Sequence, residues 1–356
     1  CELLHMSPVG IEVTAPPRLG SVTVPAVAGE DAARALCLQL LPSWSTVAAA
    51  SLEVSVISGG ITNSLLKVTP PEGSGLDPVV IRTFGDNTEK MIDREEELEK
   101  ILKLNAHGFG AKVLGIFGNG RVEEFLQGRI LSIEEMQDPA LQAKVATRMA
   151  EFHSLLSLAR SQECTLWTTL QSWMDTAKTL KFEDEQRQAA FEKLELDAFQ
   201  ADIMLVKAAL ESLGSPMVLS HNDLLNGNIM ILEGGALQFI DFEYGGTNYR
   251  GFDFGNHFNE FAGFDCDYTC YPQPDVQRRF IGEYLKHSHP GGSVPPEEVE
   301  QVYMEANVAA LASHLFWGLW AILQAKFSNL DFDYIEYAQM RYDEYKRRKD
   351  EFLALV

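Results

Sequence analysis

The chain has 356 residues, of which 46% are apolar and 22% charged, enough for one large domain or two lobes around a cleft and too apolar for global disorder. Its formal net charge is −22 and its sequence pI about 4.7. So acidic a surface repels nucleic acid and anionic lipid, which are excluded as partners, while a small cation is drawn to it.

Residues 1–30 are rich in Pro, Gly and Val without periodicity and read as an extended or flexible arm. A helix over 31–41 is stopped by Pro42. Alternating, β-branched stretches predict strands at 52–57, 64–69 and 79–84, with a glycine turn at 58–63 and a Pro/Gly loop at 70–78. Residues 93–104 predict a helix with acidic residues in its first turn, where they suit the helix dipole. Two short strands follow, near 112–117 and 121–125. Beyond Ser132 the pattern is mostly helical, at 141–158, 167–180, 189–213, 275–285 and 296–325. The domains read as arm 1–30, a β-rich lobe 31–125 and a helical lobe 126–356.

The apolar run 308–323 is shorter than the roughly 20 residues a membrane span needs and holds Ser313 and His314. It reads as a buried core helix, with no membrane span. Five cysteines, Cys1, Cys37, Cys164, Cys266 and Cys270, show no paired zinc spacing and read as reduced thiols. No secretory pattern opens the sequence, and a cytoplasmic location is expected. The basic cluster from Arg341 to Lys349 reads as a solvated helix face.

Between Ser215 and Gly263 the helical pattern breaks, and there the chemistry concentrates. An apolar strand leads into His221-Asn222-Asp223-Leu224-Leu225-Asn226-Gly227-Asn228, followed by a hairpin ending at Asp241. Phosphoryl transfer to an alcohol needs a carboxylate to take the hydroxyl proton and oxygen ligands for magnesium. Protein kinases meet that need with an Asp base, an Asn five residues on and an Asp after a hairpin. Asp223, Asn228 and Asp241 have this spacing.

The surrounding motifs resemble the choline/ethanolamine kinase family. HNDLLNGNIM (221–230) is similar to its catalytic loop, as are IDFEYGGTNYRGFDFGNHFNEFAG (240–263) and ASHLFWGLWAILQAKF (312–327) to its later blocks. SGGITN (58–63), IRTFG (81–85) and GAKVLGIFGNGRVEEFLQGR (110–129) match in the first lobe. The resemblance spans about residues 55–345. It implies an α+β, protein-kinase-like bilobal fold, with an N-terminal antiparallel β-sheet lobe and a larger, mostly α-helical C-terminal lobe. It also implies ATP and Mg2+. Asp223 would be the general base, with Asn228 and Asp241 holding magnesium. Arg82 would steady the phosphates with Glu97 as its ion-pair partner, Glu95 and Glu96 being alternatives. Gly59, Gly60, Thr62 and Asn63 would lie over the phosphates, and the backbone of Glu124 and Leu126 would meet adenine. A cationic head would sit among Glu260, Trp317, Trp320 and Tyr337, and Trp317 and Trp320 share a helix face. His221, His257 and His314 would be structural, hydrogen-bonding within the core.

Ethanolamine offers three N–H donors and choline none, so ethanolamine needs acceptors where choline is content with aromatic faces. Leu225, where choline kinases carry Gln, and the stretch Asn259 to Gly263 resemble ethanolamine kinases. The expected reaction is phosphorylation of ethanolamine, the first step towards phosphatidylethanolamine. Choline or dual specificity and a non-catalytic scaffold are the alternatives, and a homodimer is left open. A protein kinase would carry G-x-G-x-x-G, D-F-G and A-P-E, whereas here DFE stands at 241–243 and the other two are missing. An antibiotic phosphotransferase would lack the helix bearing Trp317 and Trp320.

Overall fold

The computed structural model describes residues 16–20, 22–24, 29–57, 63–85, 93–159, 161, 163–328 and 330–356. The chain divides into two compact units, residues 1–127 and 128–356.

Among the described residues the first unit is a sheet with two α-helices. Its elements are β1 (Arg18–Leu19), α1 (Glu30–Leu40), β2 (Glu53–Ile57), β3 (Asn63–Thr69), β4 (Val79–Phe84), α2 (Arg94–Ala106), β5 (Val113–Phe117) and β6 (Gly120–Glu124). The strand order is β1-β5-β6-β4-β3-β2. Neighbours pair antiparallel except β1, which lies parallel to β5, so the sheet is mixed rather than antiparallel. The described part of the presumed flexible arm is therefore docked. Asn119 clamps Val24 with bonds of 2.8 and 2.7 Å to its amide and carbonyl, and Val24 is buried. Apolar periodicity could not reveal a two-residue strand paired to distant β5. Leu36, Leu40, Trp44, Val68, Ile81 and Val122 lie in the core formed by α1 and the sheet. Asp93 caps α2, its carboxylate accepting from the amides of Glu95 and Glu96.

The second unit opens with β7 (Gly128–Ile130), α3 (Pro139–His153), α4 (Leu166–Ala177), α5 (Glu185–Glu192) and α6 (Leu196–Leu213). The presumed single helix over 189–213 is two, because Glu195 between them sits in the left-handed region at φ 47. Then come β8 (Met217–Ser220), β9 (Ile229–Leu232), β10 (Leu237–Phe239) and β11 (Gly246–Tyr249). Four helices complete it: α7 (Arg250–Asn259), α8 (Pro274–Leu285), α9 (Pro296–Phe327) and α10 (Tyr334–Leu353). β7, β9 and β10 form one small sheet, and β8 pairs with β11. Helix α9 is the axis, packed against α4, α6, α7, α8 and α10. It is buried at every position from Glu305 to Ala325, as a helix apolar on all sides must be. Its apolar window is long enough to cross a membrane, but all of it is buried inside the unit.

Candidate active site

In the second unit β8 delivers the chain into the loop 221–228, and the β9–β10 hairpin returns it to Asp241. The hairpin turn uses Gly234 and Gly235 at φ 98 and 82. The amide of Ile240 donates to the carbonyl of Asn228 at 3.0 Å, which brings Asp241 beside Asn228. Asn222 and Asp241 both adopt φ 64. That left-handed backbone is uncommon outside glycine and tolerated best by Asn and Asp.

The loop is pinned mainly from α7. Asp253 accepts the amides of His221 and Asn222, one on each carboxylate oxygen, both at 2.7 Å. It also accepts from His153 Nε2 at 2.9 Å. His257 donates from Nδ1 to the carbonyl of Leu224, and His221 from Nε2 to the carbonyl of Ile240, both at 2.9 Å. Asn222 donates to the carbonyl of Tyr244 and accepts from Asn248. Burial works to raise Asp253, but its bond to His153 and that imidazole's charge hold the carboxyl below the usual range. His221 and His257 thus do the structural work expected of them. His314 does not hydrogen-bond through Nδ1; its ring meets Tyr268 edge-on at 5.2 Å.

Asp223 is fixed by Asn228, whose Nδ2 donates to its carbonyl at 2.7 Å and to its carboxylate at 2.8 Å. Burial, then the charges of Glu260, Asp241 and Glu243, push its carboxyl well above the usual range; the bond from Asn228 opposes them. With its nitrogen committed to Asp223, Asn228 turns its Oδ1 elsewhere. An amide oxygen and a carboxylate are donors of the kind a hard divalent cation takes, and the concentration of negative charge is of the sign that attracts one.

The four residues expected around a cationic head are all buried in this unit. Trp317 and Trp320 meet edge to face with ring centres 5.5 Å apart, and Tyr244 packs 5.2 Å from Trp317. Trp320 Nε1 donates to the Tyr244 hydroxyl at 2.8 Å. Glu260 ends α7 and pairs with Arg341 at 2.9 Å, and Arg341 also reaches the Tyr337 hydroxyl at 3.3 Å. Arg341 is only 1% exposed, a correction to the solvated face expected for it. Helix α10 is two-sided: Arg341, Tyr342, Glu344 and Tyr345 face inward, while Asp343 and Lys346 face water. The buried carboxylate of Glu260 supplies the partner that makes an inward arginine tolerable.

The first unit holds a second charged cluster. Glu97, not Glu95 or Glu96, is the buried acid of α2. Its partners are Arg121 at 2.8 Å and Arg94 at 2.7 Å, one on each oxygen. Arg82 is bound to Glu123 at 3.4 Å, and Arg121 to the same carboxylate at 2.5 Å. The expected Arg82–Glu97 pair is thus replaced by a chain of alternating charge. The cause is register: Arg82 and Arg121 face each other across β4 and β6, and like charges so placed need an acid between them. Burial works to raise Glu97 and Glu123, but the arginines outweigh it and hold both below the usual carboxylate range. Asn63 accepts from Arg94 at 3.4 Å, whereas Gly59, Gly60 and Thr62 lie outside the described residues.

At the end of the sheet the amide of Glu124 donates to the carbonyl of Lys112. The Lys112 amide goes instead to Glu124 Oε1 at 2.9 Å, which leaves the Glu124 carbonyl out of that pair. Leu126 follows Phe125, whose amide makes a strand bond, 3.2 Å, to the carbonyl of Pro78. Asp253, Asn256, Tyr244 and Arg121 were not singled out from sequence, and Arg341 was read only as part of a solvated basic face. The polar residues 253, 256 and 257 interleaved with Phe252, Phe254 and Phe258 were the available sign, since polar groups buried in an apolar helix need partners.

A pinned carboxylate, an amide and second carboxylate for a cation, and a β-sheet unit carrying an arginine cluster define a kinase-fold phosphotransferase acting on small alcohols. The choline/ethanolamine kinase family description matches residues 54–346, and the chain belongs to that family. It is 42% identical over 323 residues to a probable ethanolamine kinase of Arabidopsis thaliana, covering 90% of this chain and 86% of that one. An ethanolamine kinase structure from Plasmodium vivax superposes with TM-score 0.79 at 29% identity, covering 91% and 90% of the two chains. A choline kinase from Cryptosporidium parvum gives TM-score 0.74 at 26% identity, covering 91% and 96%.

Proposed function

We propose that this enzyme transfers the γ-phosphoryl group of ATP to the hydroxyl of ethanolamine, giving phosphoethanolamine and ADP as the entry step to phosphatidylethanolamine, in the cytoplasm. The observation that carries this is Asp223, held through Asn228 beside Asp241 in a loop whose amides are pinned by Asp253. The hydroxyl oxygen attacks the γ-phosphorus, the bond to the β-phosphate oxygen breaks, and the hydroxyl proton passes to Asp223. Asn228 Oδ1 and Asp241 would hold magnesium, which when bound neutralises phosphate charge. Arg82 would steady the phosphates, and the backbone of Glu124 and Leu126 would receive adenine. Gly59, Gly60, Thr62 and Asn63 would lie over the phosphates.

The ammonium head would be received by Glu260 beside Trp317, Trp320 and Tyr337. The buried aromatic walls also suit a quaternary ammonium, and choline is the second reading. ADP release with MgATP tests both, using ethanolamine, its mono- and dimethyl derivatives and choline in separate reactions. The expected kcat/KM is highest for ethanolamine and falls with each methyl. Asp223→Asn should lower kcat by about 10²–10⁴-fold. A variant as active as the parent removes Asp223 from the mechanism, and no turnover on any of the four leaves a scaffold.

A further inference from the structure

Arg341 is the most heavily committed buried cation in the second unit that the phosphoryl transfer itself does not use. Its Nη1 donates to Glu260 Oε1 at 2.9 Å and to the Tyr337 hydroxyl at 3.3 Å, and its Nη2 donates to Ser313 Oγ at 3.1 Å. Ser313 donates to Asn256 Oδ1 at 2.9 Å, and that oxygen also receives Trp317 Nε1 at 2.7 Å. One guanidinium thus ties together the carboxylate and two aromatic walls of the ammonium site.

Resting on the reading of this site as an amino-alcohol site, we propose that Arg341 is a positioning residue that sets its preference for ammonium heads bearing N–H donors over quaternary ones. Two effects act together. Arg341 offsets the charge of Glu260, which weakens the non-directional pull that attracts any cation, methylated or not. It also fixes Glu260 through Oε1, and Oε2 makes no hydrogen bond among the described residues. A fixed acceptor rewards a ligand with N–H donors in the right direction and leaves a ligand without them unrewarded. Choline, with no donor, depends on the aromatic faces, of which Trp317 and Trp320 pack edge to face on α9 with no hydrogen bond from Arg341. Arginine suits this task because its planar fork grips in fixed directions, whereas a lysine is a swivelling point charge.

The test is Arg341→Lys, which keeps the buried charge and loses the fork, with Ser313→Ala as a milder variant that removes a single anchor of Arg341. For the parent and both variants, kcat and KM are measured for ethanolamine, its mono- and dimethyl derivatives and choline, with KM for MgATP and the melting temperature alongside. The expected result for Arg341→Lys is a KM for ethanolamine raised roughly tenfold, the scale of one charge-assisted hydrogen bond, with choline changed by no more than about twofold. KM for MgATP should hold and the methyl profile should flatten; Ser313→Ala should move the same way by a smaller factor. Equal losses on all four acceptors, or an unchanged methyl profile in a folded variant, overturn the inference and leave the kinase reading standing. Should Arg341→Lys not fold, Ser313→Ala decides alone, an unchanged profile overturning the inference. A parent silent on all four acceptors overturns the kinase reading and this inference with it.

Discussion

Asp223 carries its carboxylate among Glu260, Asp241 and Glu243, and burial with these neighbours raises its pKa well above the ordinary range. Such a group takes up a proton readily, which suits the role of base proposed for it. Spacing alone put Asp223, Asn228 and Asp241 forward, because a loop and a hairpin fix their separation locally. Arg341 and Glu260 lie 81 positions apart in sequence, and no local pattern could join them. The same holds for Glu123 between Arg82 and Arg121, which strand register creates. Replacing Glu123 by Gln should leave two facing arginines buried without the carboxylate that bridges them. The expected cost is about 3–5 kcal/mol, read by denaturant unfolding, and a loss within about 0.5 kcal/mol would show the cluster is not holding the sheet.

At the scale of elements, α7 and α9 position the loop. Gly255 of α7 meets α9 so closely that a Cβ there would lie 2.5 Å from the carbonyl oxygen of Ala306 and closer still to the amide nitrogen of Ala310. That contact is to backbone and cannot swing away. Gly255→Ala should therefore push α7 off α9 and destabilise the protein by about 1–3 kcal/mol. Because α7 carries Asp253 and His257 to the loop, kcat should fall while KM for MgATP holds. A melting temperature equal to the parent's would contradict this packing. Strongly periodic elements were legible from sequence: β3, β4, α2 and α9 lie within two residues of their expected bounds. Helix α7 was not, because it is short and lies inside the stretch 215–263 that was read as a break in the helical pattern. The break at Glu195 escaped as well, since a single left-handed residue leaves no periodic trace.

For the whole molecule, buried histidines set the response to acid. Burial pushes His257 down from 6.5 to about 4, outweighing its bond to the Leu224 carbonyl. His221 and His314 are lowered too, burial again leading. A base depressed in the folded state contributes stability that is fully present above its unfolded value and lost as pH falls through the folded one. For His257 that window is 6.5 to about 4, worth about 3 kcal/mol. Glu97, Glu123 and Asp253, all lowered, add a further loss as pH drops through the carboxylate range. Asp223, raised, works in the opposite sense and favours the fold at low pH. The melting temperature should therefore fall steadily from pH 7 to pH 4, and a flat profile would mean these imidazoles are not buried neutral.

The central claim is that a pinned base and a directed carboxylate make this chain a kinase for a primary amino alcohol. Supplying equimolar ethanolamine and choline to the enzyme with limiting MgATP, and resolving the products by phosphorus NMR, tests it most directly. Phosphoethanolamine in clear excess over phosphocholine is the predicted result. Phosphocholine in excess, or inorganic phosphate alone, would contradict it.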